Sequence, residues 1–144
     1  MAKQPRKSGR RHNDRRTTRA SAASKPPRIV AFCCENSGWL AAEALHGNTA
    51  LKGVQIVKVP CAGRVEAKQM LACLERGARQ VLVVGCPLDN CKYVHGNRRT
   101  LKRAARARAA VRDAGLDENA IRMELISSVD SQKLLEILKE IKRA

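Results

Sequence analysis

Four of the six cysteines in this chain fall where thiolate chemistry can be concentrated. Cys34 closes the apolar run RIVAFCC, Cys61 follows VQIVKVP, Cys86 ends VLVVGC, and Cys91 comes just beyond it. The deprotonated thiol is the metal-binding form of cysteine. Four such soft donors suit either a closed tetrahedral zinc site or an iron-sulfur cluster. Successive members of the set are separated by 26, 24 and four residues, and no CxxC occurs. That spacing matches neither a zinc finger nor the ligand run of a bacterial ferredoxin, so a common site has to come from the fold. The residues themselves leave zinc and iron-sulfur both open.

The elements that must position these thiols alternate strand and helix. Arg28 to Cys34, Val54 to Val59, Gln80 to Gly85 and the weaker Ile121 to Ile126 read as strands, rich in β-branched residues. Between them, Trp39 to His46 carries Leu40, Ala41, Ala44 and Leu45 at helical spacing, stopped by Gly47-Asn48. Ala67, Met70, Leu71, Leu74 and Ala78 mark one face of a second helix. A long helix runs from about residue 98 to 114, and a last one bears a stripe of Leu134, Ile137, Leu138 and Ile141, with Asp130 or Ser128 as a candidate cap. The expected fold is α/β, a small four-stranded parallel sheet flanked by helices, flavodoxin-like or Rossmann-like, in the order 2-1-3-4. In that order the carboxyl ends of the first three strands lie side by side, which would gather Cys34, Cys61 and Cys86 at one sheet edge. Pro60 and Pro87 stiffen the adjoining loops, and Gly63 and Gly85 are expected to let backbone approach a bulky inorganic group.

The remaining cysteines fit packing. Neighbouring strand residues face opposite ways, so Cys33 is expected to meet a helix if Cys34 faces the site. Cys73 lies off the apolar stripe of its helix, and no role is expected of it. No Ser-His-Asp set, paired carboxylate or phosphate-binding glycine loop competes with the cysteines. His46 and His95 have no acid partner in sequence, and His12 lies in the N-terminal segment.

Charge divides the chain into two expected regions. Residues 1 to 27 hold nine Lys or Arg against the single acid Asp14, half of the net charge of +16. With no large apolar side chain after Met1, this segment is expected to be a disordered basic tail, and residues 28–144 one globular domain. The tail lacks the hydrophobic region of an export signal, and no run approaches the roughly 20 apolar residues of a membrane span. A cytoplasmic protein is expected, where clustered thiols mean metal or redox chemistry more often than disulfides. With Phe32, Trp39 and Tyr93 the only aromatics, base stacking has little to use and nucleic acid is an unlikely partner. A zinc-stabilised, basic nucleic-acid-binding module is nevertheless the alternative function.

Three motifs taken together are more specific. FCCENS at 32–37, VPCAGRVE at 59–66 and GCPLDNCKYVHGN at 85–97 resemble the MvhD family, the iron-sulfur delta subunit of methyl-viologen-reducing hydrogenase and its stand-alone relatives, over about residues 28–128. The resemblance implies a [2Fe-2S] cluster on Cys34, Cys61, Cys86 and Cys91, in a non-catalytic electron-transfer subunit without a substrate pocket. The implied partners are a heterodisulfide-reductase-type flavin subunit together with a hydrogenase, formate dehydrogenase or methylene-tetrahydrofolate reductase. Two positions depart from the family pattern. Ser37 stands where many members have a further cysteine, and Lys92 replaces the histidine of the usual CHY. Arg64, Lys92 and the basic start of the long helix lie near the ligand motifs, where cations favour a reduced cluster or attach an acidic partner protein.

Overall fold

The computed structural model describes residues 27–144, so the tail expected over 1–27 lies, Pro27 apart, outside the described residues. Four strands, β1 (Ile29–Cys34), β2 (Val54–Val59), β3 (Gln80–Gly85) and β4 (Ile121–Leu125), form one all-parallel sheet in the order β2-β1-β3-β4. Both the sheet and its order match the sequence reading. Helices α1 (Gly38–Glu43), α2 (Ala67–Glu75), α3 (Gly96–Asp113) and α4 (Ser131–Arg143) connect and cover it.

Alternation along β1 divides the core. Ile29, Ala31 and Cys33 face a cluster built with Ala41 and Ala42 of α1 and Leu134 and Leu138 of α4. Val30, Phe32 and Cys34 face the other side, with Met70 of α2 and Ala104, Ala107 and Val111 of α3. Cys33 is therefore a core residue, as the strand period requires. Burial, and secondarily the neighbouring Cys34, pushes its thiol up to about 12. Cys73 packs partly buried on α2 against the second cluster.

Helix ends differ from the sequence reading where local geometry decides them. The first helix closes at Glu43 and passes through turns to Gly47, whose φ of 81° is the left-handed conformation that glycine adopts without strain. Asp130 is the cap of α4, its carboxylate accepting from Lys133 N at 3.1 Å. The long helix starts two residues before the expected position, at Gly96, and that difference bears on the site. No helix of the described residues is long and apolar enough to cross a membrane.

Candidate metal centre

All four expected ligands lie at the carboxyl end of the sheet. Cys34 is the last residue of β1, Cys61 caps the short turn Ala62–Arg64 after β2, Cys86 follows β3, and Cys91 sits in the loop before α3. They approach as two pairs. Cys34 Sγ is 3.6 Å from Cys86 Sγ, and Cys61 Sγ is 3.8 Å from Cys91 Sγ. The first pair bridges adjacent strands deep in the fold. In the second, Cys61 is buried and Cys91 partly exposed. The pairs also feel each other electrostatically, Cys61 through Cys34 and Cys86 through Cys91.

These spacings carry chemical information. Two thiolates bound to one tetrahedral metal at about 2.3 Å stand roughly 3.8 Å apart. Each pair is thus dimensioned to hold one metal. Among the described residues no three Cys, His, Asp or Glu side chains surround a single point as one ion would require. Four thiols gathered in two pairs are a donor set that an iron-sulfur cluster can use.

The backbone around the outer pair is shaped to admit sulfur. A Cβ built on Gly96 would lie 2.2 Å from Cys61 Sγ and 3.1 Å from Cys91 Sγ, so only glycine fits at the first turn of α3. Gly63 has a different task from the one expected. Its Cβ would meet the Gly96 backbone at 2.7 Å, so it allows two backbone segments to touch, while Gly85 makes room for Ala62 and Met123. Arg103 of α3 donates to the Gly63 carbonyl and, at 3.5 Å, to that of Val65, tying the Cys61 turn to the helix. Asn97 is buried and reaches back to the opposite loop, donating to Cys86 O at 3.0 Å and Pro87 O at 2.8 Å. Gly96 and Asn97 were missed as site residues although both lie inside the motif GCPLDNCKYVHGN. The signal was the HGN triplet, whose glycine and asparagine open a helix instead of closing one.

The thiols differ in electrostatic setting. For Cys61, burial raises the thiol against a 3.3 Å hydrogen bond from Gly63 N. Burial pushes Cys86 up to about 11, opposed by the neighbouring Ser37 hydroxyl. At Cys91 burial also raises, but backbone N–H groups of Asn97, Tyr93 and Gly96 and the Cys61 thiol outweigh it, and the net shift is downward. The α3 N-terminus thus favours a thiolate at Cys91, as helix N-termini do generally. Ser37 is buried beside this set, its Oγ without a hydrogen-bond partner at ordinary distance although near enough to Cys86 to lower its thiol. His46 and His95 are both exposed, and neither joins the cysteines.

Known proteins place this arrangement in a family. Residues 29–144 match the family model described as methyl-viologen-reducing hydrogenase, delta subunit. The chain is 32% identical over 115 residues to the vhu iron-sulfur subunit of the F420-non-reducing hydrogenase of Methanopyrus kandleri, covering 78% of this chain and 87% of that protein. It is 32% identical over 119 residues to the corresponding iron-sulfur subunit of the F420-non-reducing hydrogenase of Archaeoglobus profundus, with 79% and 85% covered. A third relative is much longer. It is a subunit of the ferredoxin/F(420)H(2)-dependent CoB-CoM heterodisulfide reductase of Methanosarcina acetivorans, 31% identical over 120 residues, which span 81% of this chain and only 15% of that protein. With the parallel sheet, the ordered cysteine motifs and the match over nearly all the described residues, the chain belongs to the delta-subunit family of methyl-viologen-reducing hydrogenase.

Proposed function

We propose that this protein is a one-electron relay, in which Cys34 and Cys86 hold one iron of a [2Fe-2S] cluster and Cys61 and Cys91 the other. The observation that carries the proposal is the pairing of the four sulfurs at 3.6 and 3.8 Å. Relatives named as iron-sulfur subunits support iron over zinc. When bound, the cluster supplies reversible one-electron chemistry at a potential set by its surroundings. The chain's own residues supply the rest. Gly96 leaves space for the sulfurs, Asn97 fixes the loop from Cys86, and the N–H groups at the start of α3 stabilise negative charge at Cys91.

Occurrence of the same domain within longer heterodisulfide reductase chains supports a partner of that type, since domains fused in one protein commonly associate when separate. A hydrogenase is the supported electron donor, from the names of the stand-alone relatives. Formate dehydrogenase and methylene-tetrahydrofolate reductase are further redox partners consistent with the same chemistry, the first giving electrons and the second taking them. Mixing the reduced protein anaerobically with a heterodisulfide-reductase-type flavoprotein should bleach the flavin absorbance. A loaded, reducible protein that leaves the flavin oxidised would contradict the relay.

Ser37 provides a finer expectation. A hydroxyl donating to a ligand sulfur stabilises the more negative reduced state. Ser37 Oγ lies beside Cys86 without a hydrogen bond at ordinary distance, so Ser37→Ala should keep its iron and lower the reduction potential by less than the roughly 40 mV that a full hydrogen bond of about 1 kcal/mol gives a one-electron couple. Potentiometric titration followed by electron paramagnetic resonance reads this. An unchanged or raised potential would remove Ser37 from the setting of the potential.

A further inference from the structure

We infer that the surface over the Cys61–Cys91 pair is the docking face for an acidic protein partner, and that electrons cross there. The inference rests on the relay reading above and adds where, and to what chemistry, the cluster is presented. Two surface clefts open beside this pair. One, of about 130 Å³, is lined by Cys61, Gly63, Arg64, Tyr93, Gly96 and Arg99. The other, of about 350 Å³, is lined by Cys91 with Asp89, Val94, His95 and Arg98. The deeper Cys34 and Cys86 line neither.

Charge around these clefts is one-sided. Arg64 and Arg99 are exposed on the first, without an acidic partner among the described residues, and Lys92 is exposed in the same loop. The one acid lining the two clefts, Asp89, pairs with Arg98 at 2.9 Å. A cationic rim of this kind steers an anionic surface toward it and repels basic ones. Apolar side chains are exposed in the loop that carries Cys91. Leu88 is 47% exposed, Tyr93 54% and Val94 64%. Val94 is a β-branched residue at φ 63°, a backbone conformation unfavourable for its type, with its side chain held in solvent. Internal packing cannot account for that arrangement. Exposed apolar side chains beside unpaired cations are the composition of an interface core with a polar rim, and they adjoin Cys91, the one partly exposed member of the ligand set. The complementary face is apolar at its middle with carboxylates at its edge.

Two arms test this on the full-length chain. In the first, iron-free protein is titrated with fluorescein-labelled poly-L-glutamate and read by anisotropy. The double variant Arg64→Glu with Arg99→Glu should weaken binding roughly tenfold, about 1.4 kcal/mol, whereas Lys139→Glu with Arg143→Glu, the same charge change on α4, should change it less than about twofold. In the second, reduced protein is oxidised by anionic ferricyanide or cationic hexaammineruthenium. The ratio of the two rates should fall in the Arg64/Arg99 variant alone, and the wild-type ferricyanide rate should fall with salt as screening sets in over about 8 Å. Equal losses in both double variants would overturn the assignment. So would a loss of binding confined to a labelled single-stranded oligonucleotide, which would give the face to nucleic acid. Iron and sulfide are measured on the anaerobically purified protein before the second arm: their absence refutes the relay, while the iron-free arm judges the docking face separately.

Discussion

Cys86→Ser is expected to strip the protein of its visible absorption and nearly all of its iron while leaving a folded chain. Cys86 directly follows β3, one of the two central strands, and stands 3.6 Å from Cys34, so it belongs to the deeper half of the site. Serine offers a hard oxygen with a much higher pKa and a shorter bond, where soft thiolates are what iron-sulfur clusters select. Outer-shell changes at metal sites already cost about 10–100-fold in affinity, so loss of a ligand must cost at least that. Cys61→Ser should behave alike from the outer pair. Cys73→Ser is the matched control, since Cys73 lies partly buried on α2 and its sulfur joins neither pair. Iron content and visible absorption, with circular dichroism as the check on folding, measure all three. A loaded Cys86→Ser protein, or a folded Cys73→Ser protein without iron, would overturn the ligand assignment.

Gly96→Ala is expected to have an effect nearly as large with a single added methyl. That carbon would sit 2.2 Å from Cys61 Sγ and 3.1 Å from Cys91 Sγ, well inside contact distance. Relief requires the outer sulfurs to part from the helix or α3 to withdraw, and Arg103 of α3, donating to the Gly63 and Val65 carbonyls, resists the second route. Overpacking of this kind costs about 1–3 kcal/mol in stability. The larger consequence is that the outer pair can no longer hold its spacing, so iron retention should fall about tenfold or more, as for lost support around a ligand. Gly115→Ala separates this from general glycine effects. Gly115 ends α3 at φ 76° in open space, so alanine there should cost about 1 kcal/mol of stability with iron unchanged. Thermal unfolding and iron analysis of the two variants check this, and full iron in Gly96→Ala would show that the cradle is not needed.

Sequence made the framework legible because the strands are unusually explicit. VLVVG can hardly be anything but a buried parallel strand, and its neighbours repeat the pattern at intervals suited to βα units, so the order 2-1-3-4 and the gathering of strand ends followed. Cys33 and Cys34 were separable because a strand alternates its faces. Pairing was not legible. Nothing in the spacing says that Cys34 meets Cys86 and Cys61 meets Cys91, since that depends on where the Ala62–Arg64 turn and the loop before α3 come to rest. Gly96 and Asn97 escaped for a related reason. Their function lies largely in contacts with segments ten or more residues away, which composition and periodicity do not register. The expected roles of Gly63 and Gly85 shifted likewise, from receiving an inorganic group to allowing backbone and side chains to pack closely.

The most direct measurement is metal and sulfide analysis of anaerobically purified protein, joined to electron paramagnetic resonance before and after dithionite. About two iron and about two acid-labile sulfide per chain, with no signal when oxidised and a single-electron signal on reduction, is the predicted result. One zinc per chain without sulfide, in a colourless protein silent after dithionite, would contradict it.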